Sequence, residues 1–262
     1  MPRKPGRRRK NSPGFSCLSG MYDGIVMKTV AIIPAGGSGK RIGGNLAKQY
    51  LFLGGVPLLV HTLMTFQESS VIDDIFLVVP EGDLEHVRKM IVEMYGLSKV
   101  SRILAGGRER QESVRNGLDA VGADHDIVVI HDVVRPFISE ELIQQVVLEA
   151  LKEKAVTTGV PVKDTVKAVD IGGWVRETLS RDSLWLTQTP QAFERQVIKK
   201  AHQKAYEDHF YGTDDAALVE RMGTRVKMIP GSYDNIKITT VDDLILGEVL
   251  LERQRARVNS KG

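Results

Sequence analysis

The chain has 262 residues, enough for one large α/β domain or two small domains with a sizeable core. Its single cysteine, Cys17, excludes an internal disulfide framework and a cysteine-rich metal site, and this favours a reducing, cytoplasmic setting. No apolar run approaches the roughly 18–20 residues that a transmembrane helix needs, so we expect no membrane partner.

The formal net charge of +3 is divided unevenly along the chain. Residues 1–26 hold six basic residues against one acidic residue and carry +5, which leaves −2 for the remainder. A nearly neutral body is not expected to bind nucleic acid. Because residues 1–26 are rich in Pro, Gly, Ser and Arg, we predict a disordered basic extension, followed by a single domain over 27–262. The extension could bind RNA, act as a targeting segment, or precede a true translation start at Met21 or Met27.

The first element of the body is a buried strand, predicted over 29–33 because the run Thr-Val-Ala-Ile-Ile is apolar. A glycine-rich loop follows, with Lys40, Arg41 and Lys48 in or just after it. Glycines let backbone N–H groups approach an anion, and cations neutralise phosphate charge. We therefore predict a phosphate-binding loop. Its spacing matches neither the P-loop, since Arg41 follows Lys40, nor the dinucleotide fingerprint, whose third glycine position is Ile42.

Helical and strand patterns alternate after this loop. The patterns predict helices over 57–68, 83–95, 110–120, 140–151, 194–207 and 214–222 and from 241, and strands over 75–79, 103–105, 126–130, 155–162 and 226–229. This alternation predicts an α/β fold with a doubly wound, mostly parallel, Rossmann-like sheet. Ligands of such sheets bind at the carboxyl ends of the strands, so we expect the candidate site in the loops that follow strands.

The loop at 106–113 repeats the combination of glycines and polar residues. Gly106 and Gly107 expose backbone, and Arg110 and Ser113 are spaced to share one face of the next helix. Taken alone, an ordinary strand–helix turn would explain these residues equally well.

The strand over 126–130 runs into His131 and Asp132. An aspartate at the end of a buried strand can orient a ribose or hold Mg²⁺, directly or through water. For His131 we predict a structural hydrogen bond and no catalytic role.

Residues 155–190 break the alternation, because β-rich runs on both sides of Gly172 and Gly173 predict a hairpin arm over about 161–186. An exposed two-stranded hairpin is marginal alone, so we expect a partner surface, with Trp174 and Trp185 as anchors. An intramolecular β-meander is the alternative.

Two more motifs precede the end of the chain. Thr213 is the predicted N-cap of a helix that ends at Gly223, and a helix amino end suits an anion. Lys237 lies in the apolar run Asn-Ile-Lys-Ile, just before the last helix.

Six motifs between residue 28 and about residue 252 resemble, in order, those of the 2-C-methyl-D-erythritol 4-phosphate cytidylyltransferase family, which belongs to the sugar-phosphate nucleotidyltransferases of non-mevalonate isoprenoid biosynthesis. They are Pro-Ala-Gly-Gly-Ser-Gly-Lys-Arg with Lys-Gln-Tyr, Gly-Gly-x-x-Arg-x-x-Ser, His-Asp-Val-Val-Arg-Pro, the arm, Thr-Asp-Asp-Ala and Asn-Ile-Lys-Ile-Thr-Thr. The resemblance implies an enzyme that joins CTP to methylerythritol 4-phosphate by in-line attack on the α-phosphorus, releasing pyrophosphate.

The resemblance also implies roles for individual residues. Arg41 and Lys48 would be catalytic, and Mg²⁺ would bridge the triphosphate, with Asp132 a candidate ligand. The CTP-binding set would be Ala35, Gly36, Gly37, Gly39, Lys40, Gly107, Arg110, Ser113 and Asp132. The acceptor phosphate would be positioned by Thr165, Arg181, Thr213 and Lys237. Thr165 and Arg181 would act across a homodimer formed through the arm.

The chain departs from the family pattern at a few positions. Gly36, Val133 and Val134 stand where alanines are usual, and Ala47 stands where proline commonly precedes the lysine. None of these changes removes a charge that the chemistry needs, but the valines would pack close to the nucleotide.

Three other functions stay open at this stage. A cytidylyltransferase for ribitol 5-phosphate would share these loops, and so would a nucleotidyltransferase that joins UTP or dTTP to a sugar 1-phosphate. A non-catalytic nucleotide- or RNA-binding protein that depends on the basic extension is the third. A dehydrogenase is disfavoured because the dinucleotide fingerprint fails.

Overall fold

The structure, a computed structural model, describes residues 21–22, 25–36 and 48–259, with side chains over 27–36 and 49–257. The strands in this part of the chain are β1 (Met21–Tyr22), β2 (Ile25–Val26), β3 (Thr29–Pro34), β4 (Phe52–Leu53), β5 (Val56–Pro57), β6 (Asp74–Val79), β7 (Val100–Ala105), β8 (Ile127–Ile130), β9 (Ala155–Pro161), β10 (Val166–Val169), β11 (Val175–Leu179), β12 (Trp185–Glu194) and β13 (Lys227–Pro230). The helices are α1 (Leu58–Glu68), α2 (Leu84–Val87), α3 (Arg110–Asp119), α4 (Glu140–Glu153), α5 (Arg195–Glu207), α6 (Asp215–Arg221) and α7 (Val241–Asn259).

Seven strands form the central sheet, in the order β13-β9-β12-β8-β3-β6-β7. β12 runs antiparallel to β8 and β9, and the other four neighbouring pairs are parallel. The predicted mostly parallel, doubly wound sheet is therefore confirmed. β3 lies between β8 and β6, so the chain reverses its direction across the sheet beside the strand that feeds the glycine-rich loop.

Alternate residues of the central strands enter two separate cores. On β3, Ala31 and Ile33 pack with α1 and α4, whereas Val30 and Ile32 pack with α3, α5 and α6. The apolar run predicted as a buried strand thus has helices on both faces, as a parallel sheet requires. A third, smaller cluster includes Leu250 of α7.

The helix boundaries follow from local chemistry, with two differences from the prediction. Ser139 caps α4, since its Oγ accepts from the Leu142 N–H at 3.3 Å. The helix predicted over 83–95 is a short α-helix, α2, that continues as a π-helical stretch, Arg88–Glu93.

The second difference is at α6. The N-cap is Asp214, whose Oδ1 accepts from the Ala217 N–H at 2.9 Å, so the prediction of Thr213 as the cap was wrong by one residue.

β10 and β11 form an antiparallel hairpin outside the central sheet. Its turn exposes large apolar side chains: Ile171 is fully exposed and Trp174 is 77% exposed.

Near the amino terminus, β1 and β2 form a short antiparallel pair at the end of the extension predicted to be disordered, and residues 1–20 lie outside the described residues. Within the described helices, none has the length and apolar character to cross a bilayer.

Candidate functional site

Four loops meet at the carboxyl edge of the central sheet. β3 and β8 are parallel neighbours, and the Ala35 N–H just after β3 donates to the Val78 carbonyl at 2.7 Å. The Gly106 N–H just after β7 donates to the Val79 carbonyl at 2.8 Å. The loops after β3, β6, β7 and β8 therefore lie side by side, which is where the fold places a ligand.

A cavity of about 570 Å³ opens between the glycines of two of these loops. Its lining within the described residues is Gly36, Pro80, Glu81, Gly106, Gly107, Arg108, Glu112 and Arg115. Ser113 lies buried beneath it, accepting from the Gly107 N–H at 3.1 Å and donating to the Glu109 carbonyl at 3.2 Å. In this structure the Ser113 hydroxyl therefore supports the glycine turn.

The backbone N–H groups of this turn already have partners inside the protein. Those of Gly106 and Gly107 donate to Val79 and Ser113, and Glu112 Oε2 accepts from Arg108 and Glu109. Glu109 and Glu112 also form a capping box at the start of α3. The backbone of this turn from Gly106 to Glu109 therefore has no free N–H group to donate to a ligand.

Asp132 lies among the cationic side chains at the carboxyl edge of the sheet. Its Oδ1 accepts from Arg110 Nε and its Oδ2 from Lys237 Nζ, both at 2.7 Å, and Arg135 Nε lies 4.0 Å from Oδ2. Burial alone would raise the pKa of the Asp132 carboxyl, but the charges of Arg110 and Lys237 outweigh it and hold that pKa far below its usual range. Asp132 is therefore ionised and acts as the counterion of the surrounding cations.

Lys237 is held at the edge by the loop that follows β8. The Ile238 N–H donates to the Val134 carbonyl at 2.9 Å, and Arg135 Nη1 donates to the Asn235 carbonyl at 2.8 Å. These bonds fix the backbone on both sides of Lys237, whose side chain remains 42% exposed. Its ammonium can therefore exchange Asp132 for an incoming anion.

His131 has the structural role that the sequence predicts. Its Nε2 donates to the Arg135 carbonyl at 3.1 Å, and its Nδ1 accepts from Thr189 Oγ1 at 3.1 Å. Thr189 Oγ1 in turn accepts from the Asp132 N–H at 3.0 Å. Burial lowers the pKa of His131 to about 4, so the ring is neutral and orders the backbone at Asp132.

Arg110 joins this centre to a second buried carboxylate. Its Nη1 donates to Asp215 Oδ2 at 2.7 Å, and His202 Nε2 lies 3.0 Å from Asp215 Oδ1. Sequence reasoning missed both Asp215 and His202 as functional candidates. The available signal was their position: each lies on the apolar face of its helix, where an ionisable side chain needs a partner.

The predicted site residues fall into three groups. Ala35, Gly36, Gly107, Arg110, Ser113, Asp132 and Lys237 come together at the carboxyl edge. Thr165, Arg181 and Thr213 are exposed on loops, and the Arg181 guanidinium donates to the Lys163 carbonyl at the base of the arm. Gly37, Gly39, Lys40 and Arg41 lie outside the described residues, as does the side chain of Lys48, whose backbone forms a 3-10 turn, Lys48–Tyr50.

Two of the departures from the family pattern can be placed. Val133 belongs to the core that covers α1, and its carbonyl accepts from Thr62 Oγ1 at 2.7 Å, so its side chain packs in the interior instead of beside a ligand. At Gly36, an added Cβ would meet Ser113 Oγ at 3.5 Å, an ordinary contact.

Comparison with known proteins supports the family resemblance that the sequence motifs indicate. The sequence profile described as 2-C-methyl-D-erythritol 4-phosphate cytidylyltransferase matches residues 29–253. A protein of that name from Syntrophus aciditrophicus (strain SB) is 52% identical over 231 residues, which are 88% of this chain and 99% of the relative. Another from Geobacter metallireducens is 46% identical over 87% of this chain and 99% of the relative.

Solved structures agree with the sequence relatives. The 4-diphosphocytidyl-2C-methyl-D-erythritol synthase from Anaerococcus prevotii superposes with a TM-score of 0.76 at 37% identity, covering 86% of this chain and 96% of that one. The 2-C-methyl-D-erythritol 4-phosphate cytidylyltransferase from Thermus thermophilus gives 0.69 at 30% identity, with coverage of 86% and 98%.

Proposed function

The chain belongs to the 2-C-methyl-D-erythritol 4-phosphate cytidylyltransferase family, and we propose on that basis how its site joins CTP to methylerythritol 4-phosphate. The products are 4-diphosphocytidyl-2-C-methyl-D-erythritol and pyrophosphate. The observation that carries the proposal is the convergence of Arg110 and Lys237 on Asp132, beside a glycine-lined cavity at the carboxyl edge of the sheet.

The chemistry explains the need for these cations. A phosphate oxygen of the acceptor attacks the α-phosphorus of CTP, a new P–O bond forms, and the bond to pyrophosphate breaks. The attacking phosphate is already ionised, so no side-chain nucleophile is needed. Two highly charged anions must meet, and catalysis therefore depends on positioning and on fixed positive charge.

Each cation has a part in this proposal. Arg41 and Lys48 stabilise the α-phosphoryl group as charge develops, and Lys40 holds the outer phosphates. Lys237 exchanges its ion pair with Asp132 for one with the acceptor phosphate. The backbone hydrogen bond beside it keeps the ammonium close to the site. Gly37 and Gly39 let the loop backbone approach the triphosphate, and Gly36 lines the cavity beside it.

The glycine turn at Gly106 and Gly107 supports the choice of cytosine. Cytosine presents an N4–H₂ donor where uracil presents an O4 acceptor. Because the N–H groups of this turn are bonded internally, its backbone can only accept; a carbonyl oxygen placed at the 4-position of the base can accept from the N4–H₂ of cytosine but would face the O4 acceptor of uracil. We therefore expect CTP to be preferred to UTP.

Mg²⁺ fits this site as an ion that phosphate oxygens hold. Within the described residues there is no group of three or more His, Cys, Asp or Glu side chains able to bind a metal, and both Asp132 oxygens are bonded to cations. Asp132 could supply one ligand once Lys237 has turned to the acceptor. When bound, Mg²⁺ would neutralise charge on the triphosphate and its leaving group.

The arm is proposed to complete the site across a homodimer. Thr165 and Arg181 lie at its base and are exposed, so their side chains could reach an acceptor bound to a second copy once Arg181 leaves the Lys163 carbonyl. The exposed Ile171 and Trp174 of the turn give the arm an apolar surface to bury.

The test is release of pyrophosphate from CTP and Mg²⁺ with different acceptors. Methylerythritol 4-phosphate and ribitol 5-phosphate are supplied in turn, and UTP replaces CTP in a parallel series. We expect release with methylerythritol 4-phosphate and CTP, and much less with ribitol 5-phosphate or UTP. Equal or faster release with ribitol 5-phosphate would replace the proposed acceptor.

A further inference from the structure

Arg110 lies between two carboxylates, only one of which faces the other site cations. Its planar guanidinium donates from Nε to Asp132 and from Nη1 to Asp215, while its third nitrogen, Nη2, is buried and has no acceptor within the described residues. Side-chain exposure falls from 28% at Arg110 to 1% at Asp215 and 2% at His202. The chain of contacts thus runs inward, from the ligand edge to the interior between α5 and α6.

We propose that Asp215 and His202 are positioning residues that fix the Arg110 guanidinium for the nucleotide. Asp215 holds Nη1 and His202 holds Asp215, so the orientation of the guanidinium plane is set from the interior. The free donor, Nη2, is then left for an acceptor on CTP. This inference rests on the proposed function, because that function assigns Arg110 to CTP.

The Arg110 guanidinium needs two carboxylate partners to be held in one orientation. An arginine side chain is long and has several rotatable bonds, so one hydrogen bond leaves its guanidinium plane free to turn. Two bonds, one to each of two carboxylates, fix both the position and the plane of the guanidinium. With Asp132 alone, Arg110 could keep its ion pair while Nη2 pointed away from the ligand.

The burial of Asp215 suits this role. A carboxylate 1% exposed is costly unless it is paired and hydrogen-bonded. Here Arg110 and His202 each take one oxygen, which leaves Asp215 little freedom to move. Asp215 also opens α6, directly after the Thr213 loop, so the same contact ties that loop to α3.

Asp215→Asn is the first test, since it keeps the shape and removes the charge. We expect the KM for CTP to rise about tenfold, the equivalent of ~1.4 kcal/mol, with kcat and the KM for the acceptor within about twofold. Asp208→Asn is the matched control, because Asp208 also pairs with an arginine, Arg221, but on the surface. A lower kcat with an unchanged KM for CTP, together with a lower melting temperature, would indicate a purely structural role and overturn the proposal.

His202 gives a second test that does not depend on removing the carboxylate. His202→Gln retains a donor for Asp215, and His202→Leu removes it at similar volume. We expect the glutamine variant to keep the wild-type KM for CTP and the leucine variant to raise it about fivefold. Equal KM values for both variants would contradict the positioning role.

A double-variant cycle completes the experiment. If Asp215 acts through Arg110, adding Asp215→Asn to Arg110→Lys should cost nothing further in CTP affinity, whereas additive losses would refute the coupling. CTP dissociation constants are measured by calorimetry for each variant. Absence of pyrophosphate release from wild type would overturn the proposed function, and the dissociation constants would still decide the positioning role.

Discussion

At the scale of single residues, the site depends on how buried polar side chains share their hydrogen bonds. His131 illustrates this, because its two ring nitrogens are committed to a carbonyl that only accepts and a hydroxyl that donates. The sequence places a histidine next to Asp132, but only the structure shows that it must be neutral.

The neutrality of His131 predicts a loss of stability in mild acid. Its pKa is about 4 in the folded protein and about 6.5 in the unfolded chain, so the unfolded state binds the proton first as the pH falls. As the pH falls from 7 to 5, this difference in pKa should lower the free energy of unfolding by about 2 kcal/mol. Urea unfolding of wild type and His131→Gln across that range would measure the difference. His86→Gln, at an exposed position, is the control and should retain the wild-type slope.

Two glycines of the site, Gly36 and Gly107, differ in the space available for a side chain. Gly36→Ala should be tolerated, with activity within about twofold of wild type, because its Cβ would make only ordinary contacts. At Gly107, a Cβ would overlap Glu112 Cβ and displace the capping box of α3. Gly107→Ala should therefore raise the KM for CTP and lower the melting temperature. Equal effects of the two substitutions on KM would contradict this account of the turn.

Lys48 provides the sharpest catalytic prediction. Lys48→Ala should lower kcat about 100-fold or more, by analogy with the loss of an oxyanion donor, while Lys89→Ala at an exposed position should have no effect. Steady-state pyrophosphate release with saturating substrates is the measurement. Near-wild-type turnover in Lys48→Ala would remove this lysine from the mechanism.

At the scale of elements, the hairpin of β10 and β11 stands apart from the central sheet. A two-stranded hairpin is marginally stable alone, yet this one exposes Ile171 and Trp174 at its turn. These exposed apolar side chains suit the homodimer proposed through the arm, where a second copy would cover them.

The arm therefore predicts a dimer that depends on its turn. Replacing Ile171 and Trp174 together by serine should shift the protein from dimer to monomer in sedimentation velocity. Met94→Ser is the control, because Met94 is 60% exposed but lies away from the hairpin. A dimer that persists in the double variant would exclude the arm turn from the interface.

The same interface can be examined through Arg181. If Arg181 serves a neighbouring site, Arg181→Ala should raise the KM for the acceptor about tenfold and leave the KM for CTP unchanged. An increase confined to the KM for CTP would mean that Arg181 is misplaced in the proposal.

At the scale of the whole molecule, charge divides the chain in two. Residues 1–26 carry +5 and the remainder −2, and the family match begins at residue 29, after the basic segment. The residues that converge on Asp132 all belong to the remainder.

A variant that begins at Met27 should therefore keep its catalytic constants within about twofold of the full chain, since the deleted segment contributes none of the proposed site residues. Pyrophosphate release and thermal unfolding of both proteins would check this. Loss of activity on deletion would instead favour a function that depends on the basic segment.

Local pattern was sufficient for the sheet class, whereas most of the candidate site residues were singled out by the family resemblance. Apolar runs bounded by glycine, proline and polar residues determine where strands begin and end, and in a doubly wound sheet the loops after strands converge. This is why Asp132, predicted at the end of a buried strand, lies at the carboxyl edge, where it meets Arg110 and Lys237, two residues that the family resemblance singled out.

Tertiary structure alone decided which atoms those residues bind. Asp214 caps α6 instead of Thr213, Val133 faces the core, and Asp215 and His202 support Arg110 from the interior. The contacts of Asp215 join residues 13 and 105 positions apart in the chain, because the balance between burial and pairing of a charged group is set by its neighbours in space.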